Sequence, residues 1–202
     1  MATDYTQSPF NKQRKDKFLF VMSLPEALRD INKKITRSTT SIQFDSISFS
    51  VYGVVVPSIS INEIATRYAG QTLHVSSESR PPYTNVTVNF TIDNYFNNYW
   101  AIYSWLDLIN NQKYNDLDNR DLVNSTTSEV YKSTFTLYGL DEYDNKIIQF
   151  DFTKAFPTSL GEINYSYRDA AQIDTSFEFA FDQLITKLIA PSETQPTTTT
   201  NL

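Results

Sequence analysis

Val86 to Ile109 reads VTVNFTIDNYFNNYWAIYSWLDLI. Its first residues alternate. Val86, Val88, Phe90 and Ile92 are apolar, and Thr87, Asn89 and Thr91 between them are polar. A period of two predicts a strand with one buried face. The period then changes. Tyr95, Tyr99, Ile102, Leu106 and Ile109 recur at helical intervals, with Phe96, Trp100 and Tyr103 beside them. This predicts a helix from Asp93 or Asn94, either of which suits an N-cap, to about Asn110. A helix lying on one sheet needs an apolar stripe of only about 100°, and this one is wider. One reading is a core helix whose tyrosine hydroxyls reach water. The other is a helix buried on two sides, one of them by another subunit. On that second reading Tyr95, Phe96, Tyr99, Trp100 and Tyr103 are candidate subunit-interface residues.

The same alternation recurs on either side. Ile173 to Phe181 (IDTSFEFAF) sets Phe177, Phe179 and Phe181 on one face and places Asp174, Glu178 and, just beyond, Asp182 on the other. Val130–Leu140 and Lys146–Phe152 predict two strands joined by a loop at 141–145, and Ala155–Asn164 predicts a turn around Pro157 and Gly161. Upstream, Lys17–Met22, Phe44–Val56 and Gln71–Ser77 are strand candidates, with a further strand over Ile59, Ile61 and Ile64 after the break at Pro57. Ser23 and Glu26 have capping-box spacing, and Leu24, Leu28, Ile31 and Ile35 predict a helix with a thin apolar stripe, suited to a surface rather than a core. Residues 1–16 read as a flexible arm, 17–189 as one domain, and 190–202 (from Ala190-Pro191 on) as a polar, low-complexity tail.

Composition favours the same class. The chain of 202 residues has 13 tyrosines and 14 phenylalanines against 4 glycines, which suits pleated, half-buried surfaces and longer, Asn- and Asp-bearing turns. It has no cysteine and one histidine, His74, so thiol catalysis, cysteine metal sites and His-paired nucleophiles are excluded. The net charge of -6 gives no general attraction for nucleic acid or anionic membranes. No apolar run approaches the ~20 residues of a membrane span, and the first residues show no secretory leader. Asp116–Asp121 lacks the glycine and the terminal acid of a calcium loop, and Asp141 with Glu142 lies in a hairpin loop without a platform for substrate. No catalytic residue, cofactor or metal is expected, and a structural or binding module fits best.

Residues 154–182 (KAFPTSLGEINYSYRDAAQIDTSFEFAFD) resemble the C-terminal segment of tail-tube proteins of contractile-tailed bacteriophages. Phe156, Pro157 and Thr158 match that family's aromatic-Pro-Thr turn, and Gly161, Glu162 and Ile163 its Gly-Glu-aliphatic step. Ile173, Thr175, Phe177 and Glu178 match its final aromatic strand, with Ser176 extra. VVVPSISINEI (54–64), Tyr68–Leu73 and the strand-to-helix junction at 86–109 are similar in order and spacing. Residues 23–43 are an insertion relative to short family members.

The resemblance implies a mainly β fold with a flanking helix, a split β-barrel or sandwich, with an extra inserted helix near the N-terminus. It implies a homo-hexamer whose rings stack into a tube, within a sheath and between baseplate and tail-terminator proteins. DNA would pass through the lumen without specific binding, in a virion tail assembled in the host cytoplasm. Thr87, Asn89, Thr91, Asp174, Glu178 and Asp182 are then candidates to face the lumen or the sheath. A baseplate tube-initiator and the haemolysin-coregulated tube protein of type VI secretion resemble the same fold. A β-sandwich carbohydrate-binding module is the reading from another class, and it would need exposed aromatics on a flat sheet face.

Overall fold

The computed structural model describes residues 12–25, 28, 50–110, 131–168 and 170–189. The elements that lie wholly within the described residues are, in chain order, β1 (Phe18–Met22), β2 (Val51–Val54), β3 (Glu63–Tyr68), β4 (Gln71–Ser76), β5 (Val86–Thr91), α1 (Asn97–Asn110), β6 (Ser133–Leu140), β7 (Lys146–Leu160), β8 (Asp174–Ala180) and β9 (Gln183–Leu188). The protein is mainly β, with antiparallel pairing throughout.

The seven-stranded main sheet runs β1-β6-β7-β8-β5-β2, with β9 also on β7. It bends at β7. The first half of β7 lies between β6 and β9, and its second half pairs with β8. β8 and β9 follow one another along the same length of β7, from Leu160↔Phe177 to Ile148↔Leu188. The break comes at Lys154, which has φ 53°, opposite Phe181–Asp182, and the Asp182 N–H donates to Thr153 O across it (3.0 Å). The result is two half-sheets, β1-β6-β7-β9 and β7-β8-β5-β2, sharing one bent strand.

Register explains the core. Met22, Phe135, Phe152 and Leu184 stand side by side across the first half, and Val86, Phe179 and Pro157 across the second. Phe179 is the hub. Its ring centroid lies 4.8 Å from that of Phe135, 5.3 Å from Phe152 and 6.1 Å from Phe181, mostly in the edge-to-face arrangements that aromatic quadrupoles favour. α1 closes the core with Ala101, Ile102, Trp105 and Leu108. Trp105 sets its ring edge-on to Phe135 and donates Nε1–H to Tyr131 O (2.8 Å), so its one polar atom is satisfied. No helix among the described residues is long and apolar enough to cross a membrane.

Several sequence expectations need correcting. The turn expected at Ala155–Asn164 is strand as far as Leu160, so Phe156, Pro157 and Thr158 belong to β7. Pro157 is tolerated because it lies beyond the end of β6 pairing and beside a register shift against β8, where a missing N–H is least harmful. The chain turns only at Gly161, whose N–H donates to Ser176 O (2.7 Å), and a Cβ there would meet that oxygen and Thr175 Oγ1 at 2.9 Å. Glu162 lies in the exposed loop beyond.

Strand β9 was not anticipated, although Leu184, Thr186 and Leu188 alternate with Gln183, Ile185 and Lys187. Of Phe44–Val56 only β2 is strand within the described residues, and Ile59 and Ile61 lie outside any strand. Leu24 and Leu28, the first two residues of the thin helical stripe, are buried in the core. Most of that helix, the 111–129 segment, most of the 1–16 arm and the 190–202 tail lie outside the described residues. Within the arm, Gln13 Nε2–H donates to Leu140 O (2.7 Å), and next to it Lys17 pairs with Asp144 (2.8 Å), so 13–17 fastens to the β6–β7 loop.

Candidate assembly surfaces

The outer face of the β5–β8 half-sheet holds most of the polar residues singled out from sequence. Thr91 stands opposite Asp174 and donates Oγ1–H to its carboxylate (2.7 Å). Asn89 stands opposite Ser176, and Thr87 opposite Glu178, with Ser159 on the next strand. Gly53 of β2 lies beside Asn89, and a Cβ there would come within 3.1 Å of its Nδ2. Hydroxyls, amides and carboxylates therefore cover this face, and the rows named contain no lysine or arginine. Asp182 is not among them. It sits at the corner, with its carboxylate 3.6 Å from Lys132 Nζ.

The outer face of the other half-sheet has a different character. Val21, Thr136, Asp151 and Ile185 form one row, and Leu19, Tyr138, Gln149 and Lys187 the next. Lys146 Nζ lies over the Tyr138 ring, 4.1 Å from its centroid. The Asp151 side chain is only 11% exposed, and it accepts from Gln149 Nε2 (2.7 Å), Thr136 Oγ1 (2.9 Å) and Lys187 Nζ (3.1 Å). Burial pushes its carboxyl up, but the hydrogen bonds from Gln149, Lys187 and Thr136 together prevail and hold it below the ordinary value. A carboxyl depressed on folding stabilises above its unfolded value of about 4, and that contribution is lost as pH falls through the folded value. Asp151→Asn should therefore flatten the acid limb of the stability curve below about pH 4. Unfolding followed by urea across that range checks this, and parallel acid limbs for the two proteins would refute it.

The strand-to-helix junction at 91–98 aims the aromatic helix. Asp93 Oδ1 accepts the N–H groups of Tyr95 (3.1 Å) and Asn97 (2.8 Å), which makes it the cap. Asn98 is fully buried. Its Oδ1 accepts the N–H of Asp93 (3.2 Å) and of Tyr99 (2.8 Å), and its Nδ2 donates to Thr91 O (2.8 Å). Tyr95 and Phe96 precede the helix, and Phe96 has φ 60°. With the inner stripe fixed on the core, the remaining aromatics point away from it. Trp100 and Tyr103 stack at 5.3 Å with 37% and 45% exposure, Phe96 meets Tyr99 edge-on at 6.4 Å, and Tyr95 is 82% exposed. In the single chain the wide stripe is thus buried on one side and open on the other.

Two further features escaped the sequence reading. Among the described residues, β1, β2 and β9 each have an outer edge with no strand beside it, as does β7 beyond Ala155. β3 and β4 form a separate two-stranded hairpin in which every residue is exposed. Register puts Ile64 opposite Val75, Thr66 opposite Leu73 and Tyr68 opposite Gln71 on one face. The other face carries Glu63, Ala65, Arg67, Thr72, His74 and Ser76, with His74 Nδ1 3.1 Å from the Glu63 carboxylate. An isolated two-stranded hairpin is at best marginally stable, so the apolar face of this arm calls for a cover. The strand candidate at 71–77 is β4, but nothing in it showed that the main sheet would leave β4 out.

A profile of the phage tail tube protein family matches residues 13–187. No curated protein matches the chain. Among solved structures, a chain of the PVC sheath–tube complex of an extracellular contractile injection system, in its extended state, is similar at TM-score 0.55 and 12% identity, over 94% of this chain and 99% of that one. The tube-terminating cap of the anti-feeding prophage is similar at TM-score 0.55 and 14% identity, over 94% and 100%. A chain of the anti-feeding prophage baseplate is similar at TM-score 0.51 and 9% identity, over 90% and 97%. At these identities the likeness to solved structures is one of fold.

Proposed function

Because the chain belongs to the phage tail tube protein family, a structural component of tails, we propose that six copies join into a ring and that rings stack into the tube through which DNA leaves the virion. The observation that carries this reading is the pair of unlike sheet faces between open edges. Strand edges without partners are a hazard in a lone domain and are removed when neighbouring copies pair along them. The outer face of β5 and β8 suits a lumen, because Thr87, Asn89, Thr91, Asp174, Ser176 and Glu178 offer no cation to hold phosphate. The face bearing Lys146 and Lys187 would retain DNA and belongs away from the bore.

Tyr95, Phe96, Tyr99, Trp100 and Tyr103 are assigned to contact between neighbouring protomers, since large exposed aromatics in a cluster are what interfaces bury. Asp182, held at the corner by Lys132, is assigned to the exterior. The inserted segment 23–43 is assigned to the outside or rim of the ring, where it leaves the passage clear. Sheath, baseplate and terminator proteins are the partners this assembly calls for, and assembly takes place in the host cytoplasm.

Electron microscopy of the purified protein tests the reading. Six-fold rings or tubes are expected, with the β5–β8 face at the bore in a reconstruction. A protein that stays monomeric at high concentration would overturn the ring, and a bore lined by Lys146 and Lys187 would overturn the lumen assignment.

A further inference from the structure

Among the described residues, five that carry a side chain have a positive φ: Ala69, Glu78, Phe96, Asp144 and Lys154. Phe96 is the one aromatic of the five. The left-handed region is costly for a bulky residue and nearly free for glycine. An aromatic held there points to something that its ring does. The surrounding hydrogen bonds keep the backbone from relaxing. The Phe96 N–H donates to Asp93 O (3.0 Å), and the Phe96 carbonyl accepts the N–H of Trp100 (2.9 Å). Asp93 Oδ1 holds the N–H groups of Tyr95 and Asn97 on either side. The buried Asn98 amide ties Asp93 and Tyr99 to Thr91 at the end of β5. Glycine would make the same turn with less strain.

The single chain gains little from the ring. Ile92, Ile102, Leu106 and Ile109 of the same stretch belong to the core or pack against it, and Phe96 does not. Among the described residues its aromatic neighbour is Tyr99, met edge-on at 6.4 Å on the outer side of the helix, where Trp100 and Tyr103 also stack. Tyr95, next in the chain, is exposed.

We propose that Phe96 is held in its strained conformation for a second copy of the chain. Its ring is the anchor of the contact between neighbouring protomers, and the single chain is less stable than it could be so that the ring is in place when the neighbour arrives. This rests on the tube reading above and deepens it. A ring already fixed by the backbone loses little freedom on docking, which is how rigid aromatic anchors raise affinity. The chemistry of the surface selects an apolar partner. Residues 95–103 (YFNNYWAIY) contain no charged side chain, so a nucleic acid or a charged protein surface finds nothing there to pair with. A second copy is the partner that the open edges of β1, β2 and β9 already call for.

The test compares the full chain with its Phe96→Gly, Phe96→Ala and Phe96→Tyr variants. Thermal unfolding is measured at a concentration where the protein is monomeric. Sedimentation and electron microscopy give the concentration at which rings appear. Glycine and alanine both remove the ring, and only glycine removes the strain. Phe96→Gly should therefore melt about 2–4 °C above Phe96→Ala, the reverse of the usual order, and no lower than the parent. Ring formation should need at least about tenfold more protein for both. Phe96→Tyr keeps ring and strain and should match the parent in both measurements. A midpoint for Phe96→Gly below that of Phe96→Ala, or well below that of the parent, would show that the ring serves the single chain and would overturn the proposal. Rings of Phe96→Gly at the parent's concentration would also overturn it, while leaving the tube reading in place. Failure of the parent to form rings or tubes would bring down both.

Discussion

Phe179→Ala should destabilise the folded chain by about 3–5 kcal/mol, the usual loss for a large aromatic cut from a packed core. For a domain of this size that lowers the thermal midpoint by roughly 6–20 °C. Phe179 is fully buried, and its ring is surrounded by Phe20, Phe135, Phe152, Phe177 and Phe181, at centroid distances from 4.8 to 6.4 Å. These rings come from β1, β6, β7 and β8 and the corner after it, so the void would open between both half-sheets at their shared bend. Neighbours that close such a void from one side must leave the other, and for that reason the upper part of the range is expected. Tyr95→Ala is the control. Its side chain is exposed in the single chain, so monomer stability should change by no more than about 0.5 kcal/mol. The measurement is thermal and urea unfolding at a concentration where the protein is monomeric. A loss under about 1 kcal/mol for Phe179→Ala would mean that the sheets do not meet as described.

Asn98→Leu is expected to be nearly as damaging, by another mechanism. Leucine keeps the volume but removes three hydrogen bonds, those to the Asp93 and Tyr99 N–H groups and to the Thr91 carbonyl. Each buried polar group left without a partner costs about 1–3 kcal/mol, and water or local fraying recovers part of this. A net loss of about 2–4 kcal/mol follows. By comparison, Asp93→Ala removes a cap and should cost about 1 kcal/mol. The junction also sets the direction of α1, so Asn98→Leu should impair ring formation at temperatures where the monomer is still folded. Urea unfolding and electron microscopy of the same preparation separate the two effects. Equal stability for Asn98→Leu and the parent would show that the buried amide does not hold the strand to the helix.

The sequence carried the parts of the fold whose signal is local. Alternation over 86–92 and 173–181 gave β5 and β8 within a residue or two, and it put Phe90, Phe177 and Phe179 on the buried side. The change of period after Ile92 gave α1, whose first helical residue is Asn97, and left the cap between Asp93 and Asn94, of which Asp93 takes the role. The family block at 156–162 was equally legible as a resemblance, yet its first half was read as the wrong structure. Pro157 is a turn signal to its neighbours in sequence. It lies in a strand because its surroundings in space supply a free edge and a register shift.

What the sequence by itself determined was a mainly β chain, with sheet faces sorted into apolar and polar and a helix with a wide aromatic stripe. These follow from side-chain period and residue type, which act over a few neighbours. Only the tertiary structure decided that β8 and β9 run along one bent β7, that Asp182 leaves the polar row for the corner, that Asn98 binds the junction, and that β3 and β4 stand apart with an apolar face uncovered. Each of those depends on pairing between segments distant in the chain. Alternation fixes the two faces of a strand, but the strand that lies beside it is set by which edges remain free once the core has closed.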